Sequence, residues 1–215
     1  MFDNNQQPLF IHINSCGGRY IRSKFCEKYN DNFIVYHINP RLWKDIVPRS
    51  KIVRCWKYRD PTFEYSTPLL KYPNISILDL NNTIPFIILR DPILRYKSEN
   101  KSENNNTNDN TNSYNIMCKT LYIAFTGDYN EYFVPFTESK YNNLLKFITN
   151  TKNIIIIPIN KINLLANYFS FKSVPSFIDN NNNNNILTNN SDNNKENLDF
   201  YNNNIFDYLL YNKYK

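Results

Sequence analysis

Apolar residues along this chain fall into short runs separated by polar stretches. The first run, Leu9-Phe10-Ile11-His12-Ile13, is β-rich and predicts a buried strand. From Tyr20 to about Tyr29 the spacing changes, with Ile21, Phe25 and Lys28 recurring every three to four residues, as in a helix. Phe33 to Ile38 reads as a second strand closed by Asn39-Pro40. Ile75 to Leu80 and Phe86 to Leu89 read as a third and a fourth. Pro92 suits a first helical turn, where its missing N–H costs nothing, and Asp91 suits the N-cap before it. Order resumes near Ile116. Tyr141 to Ile148 is helical in spacing, with Leu144, Leu145 and Ile148 on one face. Ile154 to Pro158 predicts another strand, followed by a helix over 161–171. The tail from Phe200 to Tyr211 again has helical spacing and is expected to dock on the body.

Short buried strands alternating with helices predict an α/β domain, a parallel sheet covered on both faces. Such sheets bind ligands beyond the C-terminal ends of their strands. The polar stretches at 99–115 and 179–197 have almost no apolar content and read as a low-complexity loop and a disordered segment within one domain, 1–215.

Composition adds a little. Roughly one residue in five is Asn, the usage of an AT-rich genome such as a protist's or a large DNA virus's. The net charge of +6 favours anionic partners. No window approaches a membrane span or a signal peptide, so a cytoplasmic chain is expected. The four cysteines, Cys16, Cys26, Cys55 and Cys118, form no CxxC pair and have no nearby His. That spacing argues for reduced thiols rather than a zinc site. Residues 41–59 interleave seven basic side chains with Trp43, Trp56 and Tyr58. The stretch reads as a solvated basic face, a surface for an anionic or sugar acceptor, or a nucleic-acid surface.

Two motifs stand at predicted strand ends. The chain has only three glycines, and two are adjacent in Ser15-Cys16-Gly17-Gly18-Arg19-Tyr20. A Gly-poor chain places glycine where φ is positive or where backbone must come close to something. A loop there, opening a helix, offers N–H groups and a positive dipole end to an anion. It also makes a tight turn with no ligand. It is neither GxxxxGK[ST] nor GxGxxG. The second motif, Arg90-Asp91-Pro92-Ile93-Leu94-Arg95-Tyr96-Lys97-Ser98, places a guanidinium at a strand end and a hydroxyl on the following helix, a pair able to pinch a phosphate. Without a ligand it is an Asp-Pro helix start with a surface arginine pair.

In this order the motifs resemble the sulfotransferases that use 3′-phosphoadenosine-5′-phosphosulfate (PAPS), above all the carbohydrate and heparan-sulfate branch. Members carry a loop like HIPK-[TC]-GG-T after the first strand and a later RDPxxRxxS. The resemblance is best over residues 9–98. It implies a P-loop-like three-layer fold with a central parallel sheet flanked by helices. It implies that Ser15, Cys16, Gly17, Gly18, Arg19 and Tyr20 cradle the 5′-phosphosulfate, and that Arg90 and Ser98 bind the 3′-phosphate. The implied reaction is in-line transfer of the sulfuryl group to a hydroxyl or amine of a glycan or other acceptor, with no metal and no membrane. The chain departs from the family where it matters for turnover. The family's loop lysine falls on Ser15, its threonine on Arg19 and its proline on Asn14. A cation missing from the leaving group removes about 3 kcal/mol of transition-state stabilisation. A degenerate member that binds nucleotide without turnover is therefore the alternative. For the general base the family uses His or Glu. His37, ending the second strand, ranks first and Glu64 second, while His12 reads as a core imidazole.

Overall fold

The computed structural model of the chain describes residues 7–29, 34–38, 50–54, 83–102, 114–169 and 198–215. The third predicted strand, Ile75 to Leu80, and the 179–197 segment lie outside these residues. β1 (Gln7–His12), β2 (Ile34–Ile38), β3 (Ser50–Arg54), β4 (Thr83–Leu89) and β5 (Ile155–Pro158) form one sheet in the order β3-β2-β1-β4-β5. β1 runs parallel to both β2 and β4, and β4 runs parallel to β5. The α/β architecture expected from the alternation is present.

β3 was not foreseen. It pairs antiparallel with β2, from Ile34 against Arg54 to Ile38 against Ser50. Its sequence, Ser-Lys-Ile-Val-Arg, brackets two apolar residues with charge and hides the period of a strand. Charged side chains suit a sheet margin, where they discourage further pairing. β4 begins three residues earlier than its apolar run, and includes Pro85. Proline is poorly placed in a central strand. Here the β5 ladder begins only at Phe86, so Pro85 has a strand neighbour on the β1 side alone.

Alternate residues of the strands feed two cores. Leu9, Ile11, Ile87 and Leu89 face α3 (Ile116–Thr126), α4 (Glu138–Asn150) and α6 (Ile205–Tyr214). Phe10, Val35, Phe86 and Ile88 face α1 (Gly18–Tyr29) and α5 (Leu165–Phe169). On that second face the rings of Phe10 and Phe86 stack at 5.0 Å, Phe25 of α1 stacks on Phe86 at 4.7 Å, and Phe169 meets Phe25 edge-on at 5.0 Å. Each such fully buried ring contributes about 1.5–3 kcal/mol. The cluster fixes α1, and with it the loop that opens α1, against the middle of the sheet.

The helices depart from expectation at their ends. α2 (Pro92–Ser102) runs into the stretch read as a loop from residue 99, because Glu99 pairs with Arg95 one turn back. α3 is apolar nearly all round, with nine of its residues buried, so no amphipathic stripe marks it. The helix expected over 161–171 is a 3-10 segment, Ile159–Leu164, followed by the five-residue α5. The tail does dock. Helical residues 198–203 lead into α6, whose Leu210 and Tyr211 are buried in the first core. No described helix is long and apolar enough to cross a membrane.

Candidate functional site

The chain passes from β1 to β2 on one side of β1, and β4 lies on the other. The strand order therefore reverses between β1 and β4, and a crevice is expected at their C-terminal ends. Both sequence motifs lie there. Ile13 to Gly17 leaves β1, and Arg90 to Pro92 leaves β4. They touch, for Arg90 Nη1 donates to the Ser15 carbonyl at 2.9 Å.

The first loop is built from two left-handed residues. Cys16 N–H donates to the Ile13 carbonyl at 3.2 Å, closing a turn. Its third residue, Ser15, has φ 63°, the sign that a type II turn requires at that place. Gly17 follows with φ 76° and its carbonyl accepts from Ile21 N–H at 3.1 Å, which makes Gly17 the N-cap of α1. The two glycines do different work. Gly17 supplies the backbone conformation. Gly18 supplies room, since a Cβ on it would stand 1.9 Å from His12 Nε2. The His12 ring lies against the Gly18 backbone, is buried, and faces Phe10 at 5.3 Å between centroids. His12 is thus a packing residue, as expected.

Glycine at the cap leaves α1 without a side-chain acceptor of its own there, and the first turn carries no acidic residue. At the longer helices α2, α3, α4 and α6 the closing side chains are seen. Asp91 Oδ1 accepts from Ile93 and Leu94 N–H at 3.0 and 3.2 Å, as the sequence foretold for α2. Thr137 Oγ1 accepts from Lys140 N–H on α4. α3 and α6 close each other. Asp207 of α6 accepts from Met117 and Cys118 N–H at 3.0 and 2.8 Å, while the Asn115 side-chain oxygen accepts from Phe206 and Asp207 N–H at 3.1 and 3.2 Å.

Beneath the loop lies a buried charged group that the sequence did not reveal. Arg95, read as part of a surface pair, is 1% exposed. Its Nη1 donates to Glu99 Oε2 at 2.6 Å, but among the described residues Nε and Nη2 have no hydrogen-bond partner. Its charge acts on Cys16, and the Glu99 and Asp207 carboxylates raise its own pKa against the opposing effect of burial. A buried donor without an acceptor costs about 1–3 kcal/mol. Two on one guanidinium, beside a loop that opens a helix, are what an anion would satisfy. Arg90 is also buried, 4% exposed, rather than open on the cleft. Burial pushes the Cys16 thiol up to about 12 against the pull of both arginines, so Cys16 is neither a thiolate nor a nucleophile.

The remaining site residues divide. Ser15 is half-buried with its carbonyl engaged by Arg90. Tyr20 packs against the α1-side core. Ser98 is half-buried, about 9 Å along α2 from Pro92. His37 is the register partner of His12 at the C-terminal end of β2, on the crevice edge of the sheet. The side chains of Arg19 and His37, and all of Glu64, lie outside the described residues. Of the residues missed, Arg95 had one sequence signal, the Arg-to-Glu spacing of four. Asp207 had none, since its partners are some ninety residues away. No family model, curated protein or solved structure matches this chain.

Proposed function

We propose that the β1–β4 crevice holds the phosphate groups of PAPS, and that the chain is a sulfotransferase-like protein with a P-loop-like three-layer fold. One observation carries the proposal. Two motifs separated by 75 residues in sequence meet in a hydrogen bond at the reversal point of the sheet. The residues fit the group. The N-cap of α1 is a glycine, its first turn carries no acid, and Arg95 below it has two donors without a partner among the described residues. In this reading residues 15–20 hold the 5′-phosphosulfate, Arg90 and Ser98 the 3′-phosphate, and the bound cofactor supplies the transferable sulfuryl group. The acceptor is a glycan or other hydroxylated or amine compound, with His37, or else Glu64, taking its proton.

A second reading is favoured by Ser15. It stands where the family has its lysine, and its carbonyl is tied down by Arg90. That arrangement binds an anion but puts no ammonium at the leaving group. In this reading the protein holds the nucleotide without turnover.

Calorimetry and thermal shift with adenosine 3′,5′-bisphosphate test the site. Micromolar binding is expected, and at a hundredfold excess over Kd the nucleotide should add about 2.7 kcal/mol of stability. No heat and no shift would sink the proposal. Transfer from PAPS by the wild-type protein would exclude the second reading, and activity appearing only in Ser15→Lys would establish it.

A further inference from the structure

A second site stands apart from the crevice. A cavity of about 580 Å³ opens between α3, the start of α6 and the segment that follows the 3-10 turn Tyr129–Tyr132. Its volume lies within the range of small-molecule sites. None of the crevice residues lines it. Phe133, Val134, Phe136, Ile205 and Phe206 form apolar walls, and Lys119 of α3 reaches it from the buried side.

Lys119 is the unusual member. It is 4% exposed, yet no described carboxylate bonds it. Its ammonium donates to the Tyr132 carbonyl at 3.0 Å and stands 5.7 Å from the centre of the Tyr132 ring. An ammonium has three protons to donate, and this one acceptor takes one. The nearby Lys140 is different, since it is paired with Glu131. Burial, and then the Lys140 charge, push the Lys119 pKa down. The Asp207 and Glu131 carboxylates act on it in the opposite sense without bonding to it, so among the described residues its ammonium has a carbonyl for a partner and no carboxylate in contact. At the mouth, Phe133 and Val134 are 44% and 39% exposed, a large apolar pair left in water.

We infer that this cavity binds a small amphipathic anion, an aryl or short alkyl group bearing one carboxylate or sulfate. The apolar body lies against Phe133, Phe136 and Phe206, and the acid group accepts from Lys119. A charged head without an apolar body would leave the aromatic walls wet. A neutral body without the head would add no acceptor to the Tyr132 carbonyl that the ammonium already has. Only a ligand with both parts satisfies both walls and base.

Titration with 2-naphthoate and with 2-naphthamide, which has the same rings and no charge, tests the inference. The acid should bind saturably and about tenfold or more tightly than the amide, the margin of a charge-assisted hydrogen bond. Lys119→Met should bring the acid down to the affinity of the amide. Lys146→Met, which removes the same charge from the exposed face of α4, should change nothing. If Lys119→Met does not fold, Phe133→Asp places a carboxylate at the exposed mouth and should weaken the acid more than the amide. Equal binding of acid and amide by the wild type would overturn the inference, as would no saturable binding of either. Adenosine 3′,5′-bisphosphate should not displace the naphthoate, and displacement would show that the cavity is not a separate site.

Discussion

Two helix starts flank the same buried arginine and are finished in opposite ways. At α3 the protein supplies its own anion, for Asp207 accepts two backbone N–H groups and is wholly buried. At α1 the cap is Gly17, the first turn has no acid, and the buried Arg95 keeps two donors without a partner among the described residues. Both ends carry the positive pole of a helix dipole. One is completed within the fold, by a residue ninety positions away in the chain. At the other the cap residue is a glycine, which has no side chain to accept with. The closed end ties the C-terminal helix to the core. The open end places no carboxylate in its first turn.

The comparison breaks most severely at the closed end. Asp207→Ala strips two N–H groups of their acceptor and removes a negative charge that acts on buried Arg95. Loss of one member of a buried charged group costs about 3–5 kcal/mol. Chemical denaturation should report a loss of that order. Asp207→Asn keeps one acceptor and should lose about half as much. A change within about 0.5 kcal/mol, the scale of an ordinary surface substitution, would mean that the reciprocal capping by Asn115 and Asp207 is incidental.

The open end should be more tolerant, and its two glycines should fail differently. Gly18→Ala drives a methyl into the His12 ring, which is itself held against Phe10. Overpacking of this kind costs about 1–3 kcal/mol. Because the conflict is with one side chain, adding His12→Ala should recover part of the loss, and a double-mutant cycle should show the coupling. Gly17→Ala meets Ile159 at 3.4 Å and Ile162 at 3.9 Å, ordinary contacts, so its cost is that of a positive φ, about 1 kcal/mol. Denaturation of the four variants measures both effects. Additive losses at His12 and Gly18 would show that the ring is free to move away.

This division between the ends explains what could be read in the sequence. The open end is local. Its strand, turn and glycine pair are contiguous, and residues 90–98 announce strand end, cap and helix in nine positions. Only their meeting required the fold. The closed end is not local. Asn115 sits in a stretch so rich in Asn, Ser and Thr that no single amide stands out, yet it is buried and joins two helices. α3 carries no stripe because both its sides are covered, and β3 is masked by the charges that protect a sheet margin. Arg95 looked exposed because charged helix residues usually are. Its burial follows from the docking of α6, which helical spacing predicted without indicating what α6 would carry.

The smallest expected effect separates the ends by pH. Burial pushes the Asp207 carboxyl up from its ordinary 3.8, with Arg95 and the two N–H donors pulling the other way. An acid with a raised native pKa holds its proton more firmly folded than unfolded. Its contribution to stability is therefore greatest below the unfolded value and declines as pH rises through the native one. Asp207→Asn cannot titrate and should lack this decline. Urea unfolding of both proteins, compared at about pH 4 and pH 7, should show the wild type losing ground to the variant as the pH rises. At the open end the thiol nearest the arginines, Cys16, stays protonated over this whole range and contributes no such slope. A difference between wild type and Asp207→Asn that is flat with pH would mean that Arg95 and the α3 dipole fully offset the burial of the carboxylate. The closed end would then be as comfortable for a charge as water is. The unused donors of Arg95 would then be the more pressing unmet demand in that buried group.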